Sequence, residues 1–408
     1  MDGISLAPIG MLLLVACLIA MLSRRLGMPY SVGLVGAGLL IAFIPNAPQF
    51  PLSRDLIFNV FLPPLVFEAA LQLPWKSFRR ELPVTSTLAL FGVALAAALV
   101  AAGMHYGLAW SWIGATLFAV LIAATDPVAV IAAFKEMNAD KRLCMLVESE
   151  SLLNDGVVAV AFTVLVAVAG GASASIGSIV PSFLWTLFGG ALVGAAVSAI
   201  VLLLAGRTND PLVEITLTTL AAYGSFLIAE RLHASGVLAS LTAGLMIGNI
   251  GSMGAISDRG RPHVLSAWEF FAFLANSFVF LLIGIQLAGV PISRLGWLTA
   301  GAAILLVLVG RALAVYPLAN LFRPSKLAVP PGMQHVLFWG GLRGALGLAL
   351  ALTVPRSVPE RGAIILCAFV VVAFSIFVQG LTMPWLVARL GLTRESHRRQ
   401  VAAETGAG

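Results

Sequence analysis

Apolar runs close to twenty residues long recur from one end of this chain to the other. Crossing roughly 30 Å of hydrocarbon takes a helix of about that length, since each residue adds about 1.5 Å. Of 408 residues 60% are hydrophobic and 10% charged, where an ordinary soluble domain carries roughly 25% charged residues. A soluble core cannot absorb that balance, so the bilayer is the solvent and the runs are read as helices.

Breaks rich in charge, proline or glycine divide the chain into spans at approximately 5–22, 30–45, 56–74, 83–104, 112–134, 143–169, 177–205, 211–230, 235–250, 266–289, 297–320, 333–354 and 362–387. The expected fold is therefore an all-α polytopic membrane protein of about thirteen transmembrane helices. An odd number places the termini on opposite sides, and basic residues favour the cytoplasmic side. With the N-terminus outside, 17 of the 24 lysines and arginines fall in inside segments, from Arg24 and Arg25 to the group Arg389, Arg394, Arg398 and Arg399. Five lie on the other side (Arg54, Arg231, Arg294, Arg356 and Arg361), and Arg311 and Arg343 lie within spans. Miscounting one central span would move every later loop across, so this asymmetry supports a cytoplasmic C-terminus in the cell membrane. The first span lacks a basic leader and a small-residue cleavage site and is read as a retained helix. Residues 388–408 are read as a short cytoplasmic tail.

The net charge of +6 does not point to nucleic acid, because no basic run accompanies an aromatic-rich polar face. Cys17, Cys144 and Cys367 lie far apart in apolar surroundings and read as small hydrophobes. The five histidines (His105, His233, His263, His335 and His397) lie near span ends or in loops and form no metal cluster. No GxxxxGK[ST] loop for ATP is present, so transport would be driven by an ion gradient. No cofactor is expected.

An ionisable side chain near the bilayer centre costs several kcal/mol, roughly 3 on insertion scales, and marks a functional site by default. The midspan set is Glu68, Asp126, Glu150, Asp155, Arg311 and Arg343, with Glu148, Glu214, Glu230 and Glu269 nearer span ends. Span six carries Glu150, Ser151, Asn154 and Asp155 at roughly 0°, 100°, 40° and 140° around the helix, hence on one face. Two carboxylates, an amide and a hydroxyl there offer hard oxygen ligands to a small cation and acceptors to a proton. Span five carries Thr125-Asp126-Pro127, where proline deprives the Ala123 carbonyl of its helical partner and the chain leaves the helix. Irregular backbone at membrane depth is tolerated where it lines protein or a cavity, and such broken helices mark secondary transporters. Span twelve carries the glycine-rich stretch Gly340-Gly341-Leu342-Arg343-Gly344. It runs antiparallel to span five in the opposite half of the chain, as an inverted repeat would place it. Arg343 lies too deep to snorkel and calls for a carboxylate. Glu68 is the acid left over once the others are assigned, so a structural Glu68–Arg343 pair is expected.

Thr125-Asp126-Pro127 and Glu150-Ser151-Leu152-Leu153-Asn154-Asp155-Gly156 together resemble the NhaP-type sodium/proton antiporters of the monovalent cation/proton antiporter superfamily. Gly341-Leu342-Arg343-Gly344, Ala243-Gly244-Leu245 through Gly248-Asn249, and Trp268-Glu269-Phe270 through Gly284 support the likeness, which covers nearly the whole chain. The resemblance implies a homodimer whose protomers each hold a dimerisation domain and a six-helix core that moves like an elevator. By that analogy 1–82 and 211–289 form the dimerisation domain, 83–169 and 297–387 the core, and 177–205 a linker helix. It also implies a sodium site made by the Asp155 carboxylate, Glu150, the Ser151 hydroxyl and the Thr125 carbonyl, with Asn154 and Asp126 in close support. Asn-Asp at 154 and 155 implies electroneutral exchange.

On this reading cation and proton compete for Asp155, and only the neutralised site crosses the barrier, since a bare carboxylate in low dielectric is costly. Potassium or lithium could replace sodium, because selectivity depends on small differences in cavity size. A sodium-coupled solute symporter would need further polar or aromatic groups near the site. A channel would show a carbonyl filter or charged rings. An intramembrane protease would show HExxH or glycine-flanked aspartates. None of these is evident, and an enzyme is not expected.

Overall fold

The fold was obtained as a computed structural model, which describes residues 6–26, 28–44, 54–171, 176–251, 254–289 and 296–393. Most of the tail assigned to 388–408 lies outside them. Among the described residues every regular element is a helix, apart from an isolated bridge between Ala139 and Thr393.

In chain order the helices are α1 (Leu6–Leu26), α2 (Tyr30–Ala42), α3 (Ile57–Gln72), α4 (Trp75–Leu108), α5 (Trp112–Leu121), α6 (Val128–Glu136), α7 (Lys141–Ala169) and α8 (Ile176–Ala205). They continue as α9 (Pro211–Arg231), α10 (Gly236–Ile250), α11 (Gly260–Ala288), α12 (Trp297–Leu321), α13 (Pro331–Trp339), α14 (Ala345–Thr353) and α15 (Arg361–Arg389). Each of the thirteen expected spans meets one helix, except that α5 with α6 and α13 with α14 are broken pairs within single spans. Seven of the described helices are singly long and apolar enough to cross a membrane.

Local chemistry sets several helix starts. The Asp140 carboxylate accepts from the N–H groups of Arg142 and Leu143 at 2.8 and 3.1 Å, and Ser111 and Ser235 cap α5 and α10 with their hydroxyls. These side chains satisfy donors that the first helical turn leaves free.

Packing follows from small residues, because hydrocarbon gives apolar helices no hydrophobic reason to associate. On α2 and α11, Gly38 and Gly284 face each other's backbone. A Cβ on Gly38 would lie 2.1 Å from the Leu281 carbonyl oxygen, and one on Gly284 2.2 Å from that of Val35. On α10, a Cβ on Gly248 would lie 2.2 Å from the Leu71 carbonyl oxygen of α3 and one on Gly244 2.6 Å from that of Phe67. Helix α10 also packs on α8 and α9, while α4 packs on α12 and on α5, and α14 on α15. Glu81 of α4 is clamped by Arg142 of α7, whose Nε and Nη2 donate at 2.9 and 3.0 Å. The same guanidinium donates to the carbonyls of Leu327 and Ala328, both at 2.9 Å, so it ties α4, α7 and the α12–α13 connection together.

Candidate ion-binding site at the helix crossing

Both broken pairs open at one place. The backbone N–H of Asp126 donates to the Leu342 carbonyl at 2.7 Å, joining the two unwound segments directly. Four helix ends then meet, and each carries an unsatisfied half charge of its dipole. The Asp126 carboxylate accepts from the Val128 N–H at 3.0 Å at the start of α6, and it lies against Gly344, which precedes α14. It therefore complements two positive ends. Arg343 donates at 3.2 Å to the Ala124 carbonyl just beyond α5, and Arg311 donates at 3.0 Å to the Leu337 carbonyl in the last turn of α13. Two guanidinium groups thus complement the two negative ends.

This arrangement corrects the expected Glu68–Arg343 pair. Glu68 accepts from Gln72 one turn further along α3, a helix that packs on α10 and α11. Arg343 needs no carboxylate, because the break beside it releases carbonyls that would otherwise be bonded within a helix. The buried ion pair is instead Arg311 with Glu150, bonded through both carboxylate oxygens at 2.8 and 3.0 Å. Arg311 stood out in the sequence as a midspan cation, but helical periodicity reveals a residue's face and not the helix it meets.

Beside the crossing lies a cavity of about 70 Å³ lined by Thr125, Asp126, Ser151, Asp155, Asn276 and Gly344, with Leu62, Leu65, Val66 and Ala69 of α3 on its apolar wall. About 10–15 Å³ open to the centre of a water already holds one water, so the space suits a small cation with part of its hydration shell. Oδ1 of Asp155 is buried with no hydrogen-bond partner among the described residues. The Ser151 hydroxyl donates to the Thr125 carbonyl at 2.5 Å. Asn154 stands behind them, its amide nitrogen 3.1 Å from the Ala123 carbonyl, 3.3 Å from the Thr125 hydroxyl and 3.4 Å from Glu150 Oε1. Of the residues singled out from the sequence, the cavity brings together Asp155, Ser151, Thr125 and Asp126. Glu150 and Asn154 support it from outside, and Glu68 and Arg343 do not line it. Asn276 of α11 was missed; its only trace in the sequence is an amide midway along an apolar helix.

A buried acid facing a cation-sized cavity, at the crossing of two interrupted membrane helices, defines the class of secondary ion carriers. Residues 11–389 match the family described as sodium/hydrogen exchanger, transmembrane, and the chain belongs to that family. It is 39% identical over 383 residues to the Na(+)/H(+) antiporter ApNhaP of Aphanothece halophytica, which covers 92% of this chain and 72% of that one. It is 34% identical over 348 residues to the Na(+)/H(+) antiporter NhaP of Pseudomonas aeruginosa, covering 82% and 81%. The sodium proton antiporter MjNhaP1 of Methanocaldococcus jannaschii shares the fold, with a TM-score of 0.73 at 20% identity over 94% of this chain and 99% of that one. The chain is thus a multi-pass membrane protein of the NhaP type.

Proposed function

We propose that this protein exchanges sodium for protons by alternating access, with both ions competing for Asp155. One observation carries the reading: the Asp155 carboxylate oxygen without a hydrogen-bond partner among the described residues lies at a cavity also lined by Ser151, Thr125 and Asp126. The relatives named above, both Na(+)/H(+) antiporters, support it. Asp155, the Ser151 hydroxyl and the Thr125 carbonyl are the ligands, once Ser151 rotates away from that carbonyl. Glu150 could join them only by releasing Arg311, so its role is to hold the site in place with Asn154. Asp126 is spent on the two helix ends and supplies negative potential.

One carboxylate alternating between one proton and one monovalent cation gives electroneutral exchange. Helices α4 to α7 and α12 to α15 form the moving core, α1 to α3 and α9 to α11 the dimerisation scaffold, and α8 the linker. The N-terminus faces outside and the C-terminus the cytoplasm, and two protomers associate.

The test is proton efflux from proteoliposomes on adding sodium, lithium or potassium across several pH values. Each pH unit below the pKa of the site should weaken apparent sodium binding about tenfold, since the free carboxylate falls by that factor. The maximal rate at saturating sodium should hold, and Asp155→Asn should abolish exchange in a folded protein. A constant Michaelis value with a collapsing maximal rate at low pH would rule out the shared site.

A further inference from the structure

A second cavity, of about 950 Å³, lies away from the ion site, between α4 and α7 on one side and α8 and α10 on the other. Its wall is almost wholly apolar, with Leu82, Leu153, Leu187 and Leu241 among its lining. It runs beside α4 from Trp75 to Leu90, about 22 Å at 1.5 Å per residue, close to half of the roughly 40–45 Å thickness of a bilayer with its headgroups.

Its two ends differ in chemistry. At one end Lys76 lines the opening, Trp75 is 48% exposed, and Arg79 and Arg80 are exposed one turn further along α4. The Trp75 N–H bonded to Asn249 at 2.7 Å pins the start of α4 to the end of α10 there. Towards the bilayer middle, Leu90 and Leu153 keep the wall apolar. A basic cluster with an interfacial tryptophan at one leaflet boundary, leading into an apolar slot one leaflet deep, complements one ligand chemistry: a phosphate headgroup carrying an acyl chain.

We propose that this groove is a binding site for an anionic phospholipid, with its phosphate at Lys76 and one acyl chain between α7 and α10. Leu153 and Val157 in the wall flank Asp155 along α7. On the functional reading above, the chain would lie where the core slides past the scaffold, so its presence would bear on exchange. Binding itself does not rest on that reading and is measured apart from transport.

The experiment is photo-labelling of the whole protein in phosphatidylethanolamine vesicles that contain either phosphatidylglycerol or phosphatidylcholine with a diazirine on the acyl chain. Phosphatidylglycerol should label segments 82–90 and 238–246 several-fold more than phosphatidylcholine. Lys76→Glu should bring the two lipids level, and Leu241→Trp, which fills the slot, should remove the label. Equal labelling by both lipids in the wild-type protein would overturn the proposal, and that comparison stands whether or not either variant folds. So would a groove without label, or a label that Leu241→Trp leaves unchanged. A second copy of the chain as occupant would appear as a cross-link between protomers through these segments, and would also overturn it.

Discussion

Arg311 and Glu150 face each other with side chains only 9% and 3% exposed, so neither charge can fall back on water if the other is removed. Breaking a buried pair costs on the order of 3–5 kcal/mol, because an uncompensated charge remains. Arg311→Met should therefore lower the melting temperature sharply, and Arg311→Met with Glu150→Gln should recover part of the loss. Thermal melts of the two proteins decide the matter; a double mutant no more stable than the single would mean that Glu150 is not the partner that matters. A second carboxylate acts outside the membrane. Burial would raise the Glu360 carboxyl, but the Ser111 N–H and hydroxyl, donating at 2.9 and 2.8 Å, hold it below the ordinary range. A carboxyl depressed on folding adds stability that is present above its unfolded value, about 4.3, and is lost as the pH falls through its folded value. Glu360→Gln should accordingly lower the melting temperature modestly at pH 7, because water still reaches the part-buried group. That difference should close in acid below about pH 4; a gap of constant size across pH would exclude the carboxylate as its source.

At the scale of the helix, the breaks were legible because their causes are local. Pro127 cannot donate to the Ala123 carbonyl, and the glycines from Gly340 to Gly344 weaken a helix whatever surrounds it. The spans were legible for the same reason, since length and hydropathy are properties of one segment. The partner of Arg343 and the presence of Asn276 at the cavity were not legible, because they depend on which helices become neighbours. Gly344 shows how tightly the two breaks are fitted. A Cβ there would lie 2.1 Å from Asp126 Oδ2 and 2.4 Å from Asp126 Cβ, well inside contact. Gly344→Ala must therefore push the carboxylate off the start of α6 or part the two unwound strands. Exchange should fall at least tenfold, a change in barrier of about 1.4 kcal/mol, whereas Gly362→Ala, which meets open space, should leave it unchanged. Unimpaired exchange by Gly344→Ala would show that the crossing is looser than this geometry.

Across the whole molecule, the contact of α7 with α10 differs in kind from those among α2, α3, α10 and α11. Within the group of α2, α3, α10 and α11, backbones touch through glycine, as at Gly38 with Leu281 and Gly248 with Leu71. Between α7 and α10 the close contact is instead a glycine against a side chain, with a Cβ on Gly156 falling 2.5 Å from Leu238 Cδ2. A backbone interlock resists sliding, while a leucine over a glycine can shift by changing rotamer, so α7 meets less resistance to sliding on α10 than α2 meets on α11. Gly156 directly follows Asp155, so displacement there would carry the proposed ion site with it. If the core carries its ion by moving past the scaffold, then tying these positions must stop transport without disturbing the site. Disulfides form across Cβ separations of about 3.5–4.5 Å, and Leu238→Cys removes the side chain that a cysteine at Gly156 would otherwise strike. With Cys17, Cys144 and Cys367 replaced, the protein carrying Gly156→Cys and Leu238→Cys should exchange sodium for protons when reduced. It should stop when oxidised and resume on reduction, while sodium still protects it against heat in the oxidised form. Undiminished exchange by the fully cross-linked protein would place the moving boundary elsewhere. Loss of both exchange and sodium protection would mean that the bond had damaged the site and not the movement.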